Sequence, residues 1–290
     1  MKDRTTYCLE KEISVFIAFT FLLSSVFYYF IATVEDNGWY AFGLMWCPGL
    51  ASIIVSLMYR RSLKGFGWRL GNIPLLLSSY FYPLVQLFIV YGIIWYFGFG
   101  GFAGFDSNFM TRLAFFPMIL TALEGSYYAG RSALGEEIGW RGYLVPRLLD
   151  KYSPNKVSLF VGSVWAVWHF PIMVTGDYGS KTPLFYQLAC FTLMIVGVSF
   201  IYTWFRITSG SLWTAVLLHT TGNLFLFHVF EDLTINTGNT GYFTGETGAV
   251  FAAWGALLIA LFVKFGWDWP TTLGYFIKNK FVVARPKHGN

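Results

Sequence analysis

The chain has 290 residues, 56% of them hydrophobic and 12% charged, with a mean hydropathy of +0.53. That balance excludes an ordinary soluble domain and places the chain among polytopic membrane proteins. Three scattered cysteines, Cys8, Cys47 and Cys190, exclude a disulfide framework or a cysteine metal site, and the net charge of +5 is explained below without a nucleic-acid partner.

About 20 apolar residues are needed to cross the hydrocarbon of a bilayer. The first such run, 13–34, is too long for a secretory leader and lacks a small-residue cleavage end, so it reads as a retained anchor. Further crossings are predicted at 40–59, 73–97, 112–149, 156–174, 184–206, 211–230 and 248–265. As one helix the fourth would be roughly 57 Å long, more than a single crossing requires. It is expected to break at Gly125, Gly130 or Gly135, with an amphipathic surface helix ahead of the true span. No repeat and no long linker divides the chain, so 1–290 is read as a single all-α transmembrane domain, a bundle of eight helices.

The charges orient that bundle. Lys2, Arg4 and Lys11, then Arg60, Arg61, Lys64 and Arg69, then Arg147, Lys151 and Lys156, then Arg206 and the tail from Lys264 to Lys287 all fall on one side of an even number of crossings. The other side keeps Lys181, marginally Arg112, and the acidic loop with Glu231, Asp232 and Glu246. This is the positive-inside pattern, and it predicts that both termini are cytoplasmic. The basic tail is a topology signal beside anionic lipid rather than a nucleic-acid patch.

Within the fourth segment, Gly135-Glu-Glu-Ile-Gly-Trp-Arg141 puts three ionisable side chains in six residues. A charge at the centre of a membrane helix costs roughly 2.5 to 3.5 kcal/mol, so such groups need partners or a function. Glu137 and Arg141 are four apart and should pair; Glu136 points about 100 degrees away, with no basic residue within a turn. Glu137 therefore reads as supporting, and Glu136 as free for chemistry. A buried ion cluster that only fixes packing is the plainer reading.

His169, in Trp165-Ala-Val-Trp-His169, and His219 with Asn223, four apart on a later helix, are the other polar groups inside spans. Counted from the cytoplasmic ends of their helices, the glutamates, His169, His219 and Asn223 all lie roughly 12 to 20 Å deep. Three helices thus bring carboxylate, imidazole and amide to one layer, an arrangement that independent structural groups have no reason to adopt. His228, nine residues beyond His219, is expected to point the opposite way. Glu124 and Arg131, seven apart on one face, read as a helix-surface pair, with substrate contact the alternative for the pair. Trp140 and Trp165 are candidate substrate contacts against a default of packing.

Glu136-Glu137-x-x-x-Arg141, the aromatic Trp165 four before His169, and His219-x-x-x-Asn223 together resemble the CPBP family of CAAX prenyl endopeptidases, Abi proteins and bacteriocin-processing or immunity enzymes. The resemblance implies an eight-helix intramembrane bundle holding a cavity open toward the cytoplasm, and an endopeptidase acting near that face. By position, Glu136 would be the general base, His169 its partner on a water, His219 and Asn223 the oxyanion donors, and Glu137 and Arg141 their support. Trp165 stands where the family usually has Phe. No Ser, Cys or Thr in the matched stretch offers a nucleophile, so water is the expected attacker. The expected partners are the lipid bilayer and a membrane-embedded peptide or lipidated protein C-terminus. No cofactor is expected; a Glu with two His is also a zinc donor set, although no H-E-x-x-H helix is present. A catalytically idle immunity or partner-binding protein and a proton-coupled transporter are the competing readings.

Overall fold

The computed structural model describes residues 4–35, 38–104 and 127–268. These form eight helical elements: α1 Arg4–Thr33, α2 Gly38–Arg60, α3 Ile73–Tyr96, α4 over 127–149, α5 Pro154–Val174, α6 Leu184–Ser209, α7 from Trp213 to Phe230, and α8 Ala249–Phe265. Five of them (α1, α2, α3, α5 and α6) are long and apolar enough to cross a membrane, and α8 is a shorter apolar helix. A two-residue antiparallel ribbon, Gly101–Phe102 with Thr234–Ile235, ties the segment after α3 to the end of α7.

The helices sort into an inner and an outer group. More than half of the most apolar window is buried inside the protein in α5 and α6, against 22% in α1 and 28% in α3. On α3 the residues left outside are Leu77, Phe81, Val85 and Phe88, an apolar stripe with the 3.6-residue period of a face turned to lipid. Around α6 pack α5 on one flank and α8 on another, while α1 lies on α2 and α3 on α7. A Cβ added to Gly197 of α6 would come within 2.3 Å of Gly255 of α8, so these helices touch backbone to backbone.

The fourth segment departs from expectation. Gly125 and the stretch in which a surface helix was expected lie outside the described residues, but Gly130 and Gly135 sit inside continuous helix rather than at a break. Their lack of a side chain is used for contact. A Cβ on Gly135 would lie 2.7 Å from the Met45 carbonyl oxygen and one on Gly139 2.6 Å from Pro48, so this pair, four apart, lets α2 close directly onto α4.

α4 instead widens. Residues 127–137 are α-helical, Ile138–Leu144 are π-helical, and Val145–Leu149 close the element. Pro146 explains part of this, since it has no N–H for the carbonyls one turn back. The Arg141 carbonyl, five residues before Pro146, accepts a hydrogen bond from Arg206 Nε at 2.9 Å, so α6 supplies the donor that proline lacks. A second π segment, Leu226–Phe230, ends α7.

Candidate active site

The glutamate pair sits at the junction where α4 passes from α to π. Glu137 and Arg141 are both fully buried, and Arg141 Nη1 donates to Glu137 Oε1 at 2.9 Å, the pairing expected from their spacing. Arg141 is held further by Nη2 on Ser199 Oγ at 3.1 Å and by the Trp165 and Tyr202 rings, each centred 4.2 Å from its guanidinium carbon. With so many contacts the cation is fixed in place, and its partner carboxylate with it.

His219 of α7 joins the two carboxylates. Its Nδ1 lies 3.0 Å from Glu137 Oε1 and its Nε2 3.8 Å from Glu136 Oε1. A carboxylate oxygen only accepts, so an ionised Glu137 selects the tautomer that carries hydrogen on Nδ1. For Nε2 to donate as well, the ring must take its second proton and become an imidazolium with a carboxylate at each nitrogen.

Trp165 of α5 tethers the remaining groups. Its indole Nε1 donates to Glu136 Oε2 at 2.8 Å, while its backbone carbonyl accepts from His169 Nδ1 at 2.9 Å. That carbonyl fixes hydrogen on Nδ1 of neutral His169 and leaves Nε2 with a lone pair. The Trp165 ring is also centred 6.2 Å from the His169 ring and 5.6 Å from the His219 ring. A phenylalanine there would keep the wall and lose the hydrogen bond to Glu136.

Glu136, Trp165, His169, His219 and Asn223 line one cavity of about 500 Å³. The sequence expectation that these groups meet inside the bundle is matched by their positions. Trp140 does not line it: the residue is fully buried, edge-on to Phe16 and Trp168 at 6.0 Å each, so the expected substrate contact there gives way to packing. His228 does line it, against expectation, because the π turn that begins at Leu226 changes the angle per residue on which the opposite direction was reckoned. Arg131 and Glu246 are two further charged residues on the wall. Among the described residues, no three His, Cys, Asp or Glu side chains converge as a metal-binding group.

The cavity occupies one half of the bundle. Its lining comes from Ile31 near the end of α1, Gly38 to Met45 at the start of α2, Tyr128 to Glu136 at the start of α4, Trp165 to Ile172 late in α5, and Phe251 at the start of α8. Gly38, Tyr128, Asp177 and His228 are exposed at its rim. The helix ends carrying Arg60, Arg147, Lys156, Arg206 and Lys264 are at the other end of the bundle. The exposed rim and these basic helix ends therefore lie at opposite ends of the helices that carry them.

A family model described as type II CAAX prenyl endopeptidase Rce1-like matches residues 118–225, the stretch that holds Glu136, Trp165, His169, His219 and Asn223. The CAAX prenyl protease 2 of Methanococcus maripaludis is 27% identical over 260 residues, which cover 83% of this chain and 90% of that protein. The chain is thus similar to Rce1-like type II CAAX prenyl endopeptidases over its motif-bearing helices and to a CAAX prenyl protease over most of its length, a likeness that supports a protease, and several of its helices are apolar enough to cross a membrane.

Proposed function

We propose that the protein hydrolyses a peptide bond of a membrane-associated substrate, with a lipidated C-terminal peptide as the class to which the relative's name points. Glu136 takes a proton from a water that also donates to the free Nε2 of His169. The hydroxide attacks the scissile carbonyl, and His219, carrying a proton on each ring nitrogen, donates through Nε2 with the Asn223 amide to the oxyanion. Breaking the C–N bond sends the proton held on Glu136 to the leaving amine. No metal is needed for these steps, since two side chains polarise the water and two receive the charge. Glu137, held by Arg141, accepts from His219 Nδ1 and so fixes the position of the ring.

The observation that carries this reading is the double role of Trp165, which holds Glu136 by its indole and His169 by its carbonyl on one cavity wall. Purified Glu136→Gln, His169→Ala and His219→Ala variants should fold and lose cleavage of a farnesylated peptide in detergent. Undiminished turnover by Glu136→Gln would remove the assigned base. Full activity of the wild type after exhaustive chelation is expected as well.

The helix order and the charges support eight crossings with both termini cytoplasmic. The cavity mouth then faces away from the cytoplasm, and substrate reaches Glu136 from that side. Labelling single cysteines at Ser132 and Lys156 with an impermeant maleimide, in a background without the native cysteines, tests this. Ser132→Cys should react from outside intact cells and Lys156→Cys only after lysis. The reverse pattern would turn the mouth to the cytoplasm.

A further inference from the structure

Among the described residues the cavity wall carries two carboxamides: Asn223, which the mechanism takes up, and Gln86 of α3, which it does not. Four ionisable side chains, Arg131, Asp177, His228 and Glu246, also line the cavity outside the mechanism. Gln86 differs from them in being neutral and in lying level with the reaction centre. It is thirteen residues from the Ile73 end of α3, as Glu136 is from the Leu149 end of α4, so each is about 20 Å along its helix from the basic side of the bundle. α3 meets α7 close by: a Cβ added to Gly222, the residue before Asn223, would lie 4.0 Å from Pro83. Gln86 follows Pro83 by three residues, about 4.5 Å along the axis, on the face that Tyr82 and Leu87 also turn to the cavity.

A glutamine inside a membrane span normally bonds to neighbouring protein, because an unpaired amide in apolar surroundings is costly. Gln187 of α6 follows that rule. Its Oε1 accepts the Ser180 N–H at 3.0 Å, and its Nε2 donates to the carbonyls of Ser180 at 2.8 Å and Thr182 at 2.6 Å. Gln86 makes no hydrogen bond to any described residue, and both ends of its carboxamide are accessible rather than sealed in packing.

What fits an open carboxamide is a second amide, since its oxygen accepts and its NH2 donates, the complement of a peptide N–H and C=O. Gln187 already pairs in this way with main chain. An extended peptide advances about 3.3 Å per residue. With the scissile carbonyl at Asn223, a peptide group one or two residues away therefore comes opposite Gln86. We infer that Gln86 is a further substrate-binding residue, which pairs with the main chain of the bound peptide beside the scissile bond and fixes its register whatever its side chains are. This deepens the hydrolytic reading and rests on it for the position of that bond.

The test uses the full-length protein in detergent and a fluorescent S-farnesylated peptide. Each peptide bond near the modified cysteine, apart from the cleaved one, is replaced in turn by an ester, which has no N–H and a weaker carbonyl acceptor. Gln86→Met keeps the length of the side chain and removes the amide. It should raise KM for the all-amide peptide by about tenfold with kcat little changed, the size expected of one or two hydrogen bonds. One ester should cost the wild type a similar factor and cost Gln86→Met nothing more, while the other esters cost both proteins alike. Losses that add at every position, or a wild-type KM in Gln86→Met, would overturn the inference. Gln86→Asn, whose amide is drawn back by one methylene, covers a failure of Gln86→Met to fold: it should be equally blind to that one ester, and wild-type sensitivity there would overturn the inference too. Equilibrium binding of the same peptides to Glu136→Gln protein, with and without the Gln86 substitution, separates this contact from catalysis. An ester whose cost vanishes with Gln86 supports the contact even if no peptide is cut, and equal costs in both proteins refute it even if every peptide is cut.

Discussion

Two buried carboxylate clusters touch α4, one at its middle and one toward its C-terminal end, and they differ in what is left over after their contacts are counted. Glu12 of α1, 2% exposed, receives Arg60 Nε at 2.9 Å and 3.1 Å and the Tyr143 hydroxyl at 2.9 Å, with Arg147 Nε at 3.4 Å. Glu136, equally buried, receives one indole N–H and faces His219 across 3.8 Å, with a cavity beside it. The first carboxylate joins α1, α2 and α4 and does not line the cavity. The second spends little of its accepting capacity on the protein. Burial of a charge therefore does not mark a reactive site; unspent hydrogen-bonding capacity next to a cavity does.

Substitution should separate the two most sharply. Glu136→Gln is expected to lower kcat by about a thousandfold or more, since a general base contributes on the order of 100- to 10,000-fold, and to leave thermal stability in detergent unchanged or higher. Glu12→Ala should do the opposite. It strands two arginines and a hydroxyl, and we expect a stability loss of about 3 kcal/mol, the low end for a broken buried pair because Arg60 is 39% exposed. Activity per folded molecule should persist. A Glu12 variant that stays stable but inactive would break the comparison.

Smaller changes test how the reactive cluster divides its work. Asn223→Ala should cost about a hundredfold in kcat with KM little altered, the usual effect of losing one oxyanion donor. Trp165→Phe keeps the ring between His169 and His219 but removes the N–H on Glu136. About tenfold in kcat is expected from one such hydrogen bond, together with a shifted acid limb in the pH–rate profile that a purely packing role would not produce.

The sequence revealed these clusters unequally, for physical reasons. Glu137 and Arg141 could be paired in advance because both ends of the contact lie on one helix turn. Glu12 could not, because its partners are 48, 131 and 135 positions away, and Arg60 and Arg147 read equally well as loop charges facing the cytoplasm. His169, His219 and Asn223 were found by depth, a coordinate that helix length supplies. Direction around the axis was less secure: the π turn after Phe225 brings His228 to the cavity, and nothing local says that Trp140 packs on Phe16 while Trp165 holds Glu136. Which end of the bundle the cavity opens toward depends on all the helices together, and no single motif encodes it.

The smallest expected effect concerns Glu246, which lies in the loop before α8 and lines the same cavity as Glu136. Burial pushes its carboxyl from the ordinary 4.5 up to about 8, and the nearby charge of Glu136 adds to the rise. A folded-state value above the unfolded one means that the folded protein holds the extra proton between those limits. The contribution to stability is then complete below about pH 4.5 and is lost as the pH climbs through about 8. Glu246→Gln, which keeps a neutral side chain of the same shape, should flatten the fall in thermal stability across that interval. Glu136→Gln should reduce it in part by removing the neighbouring charge. A wild-type melting profile that rises between pH 5 and 8, or one that both variants leave unchanged, would show that the two carboxylates do not sense each other across the cavity.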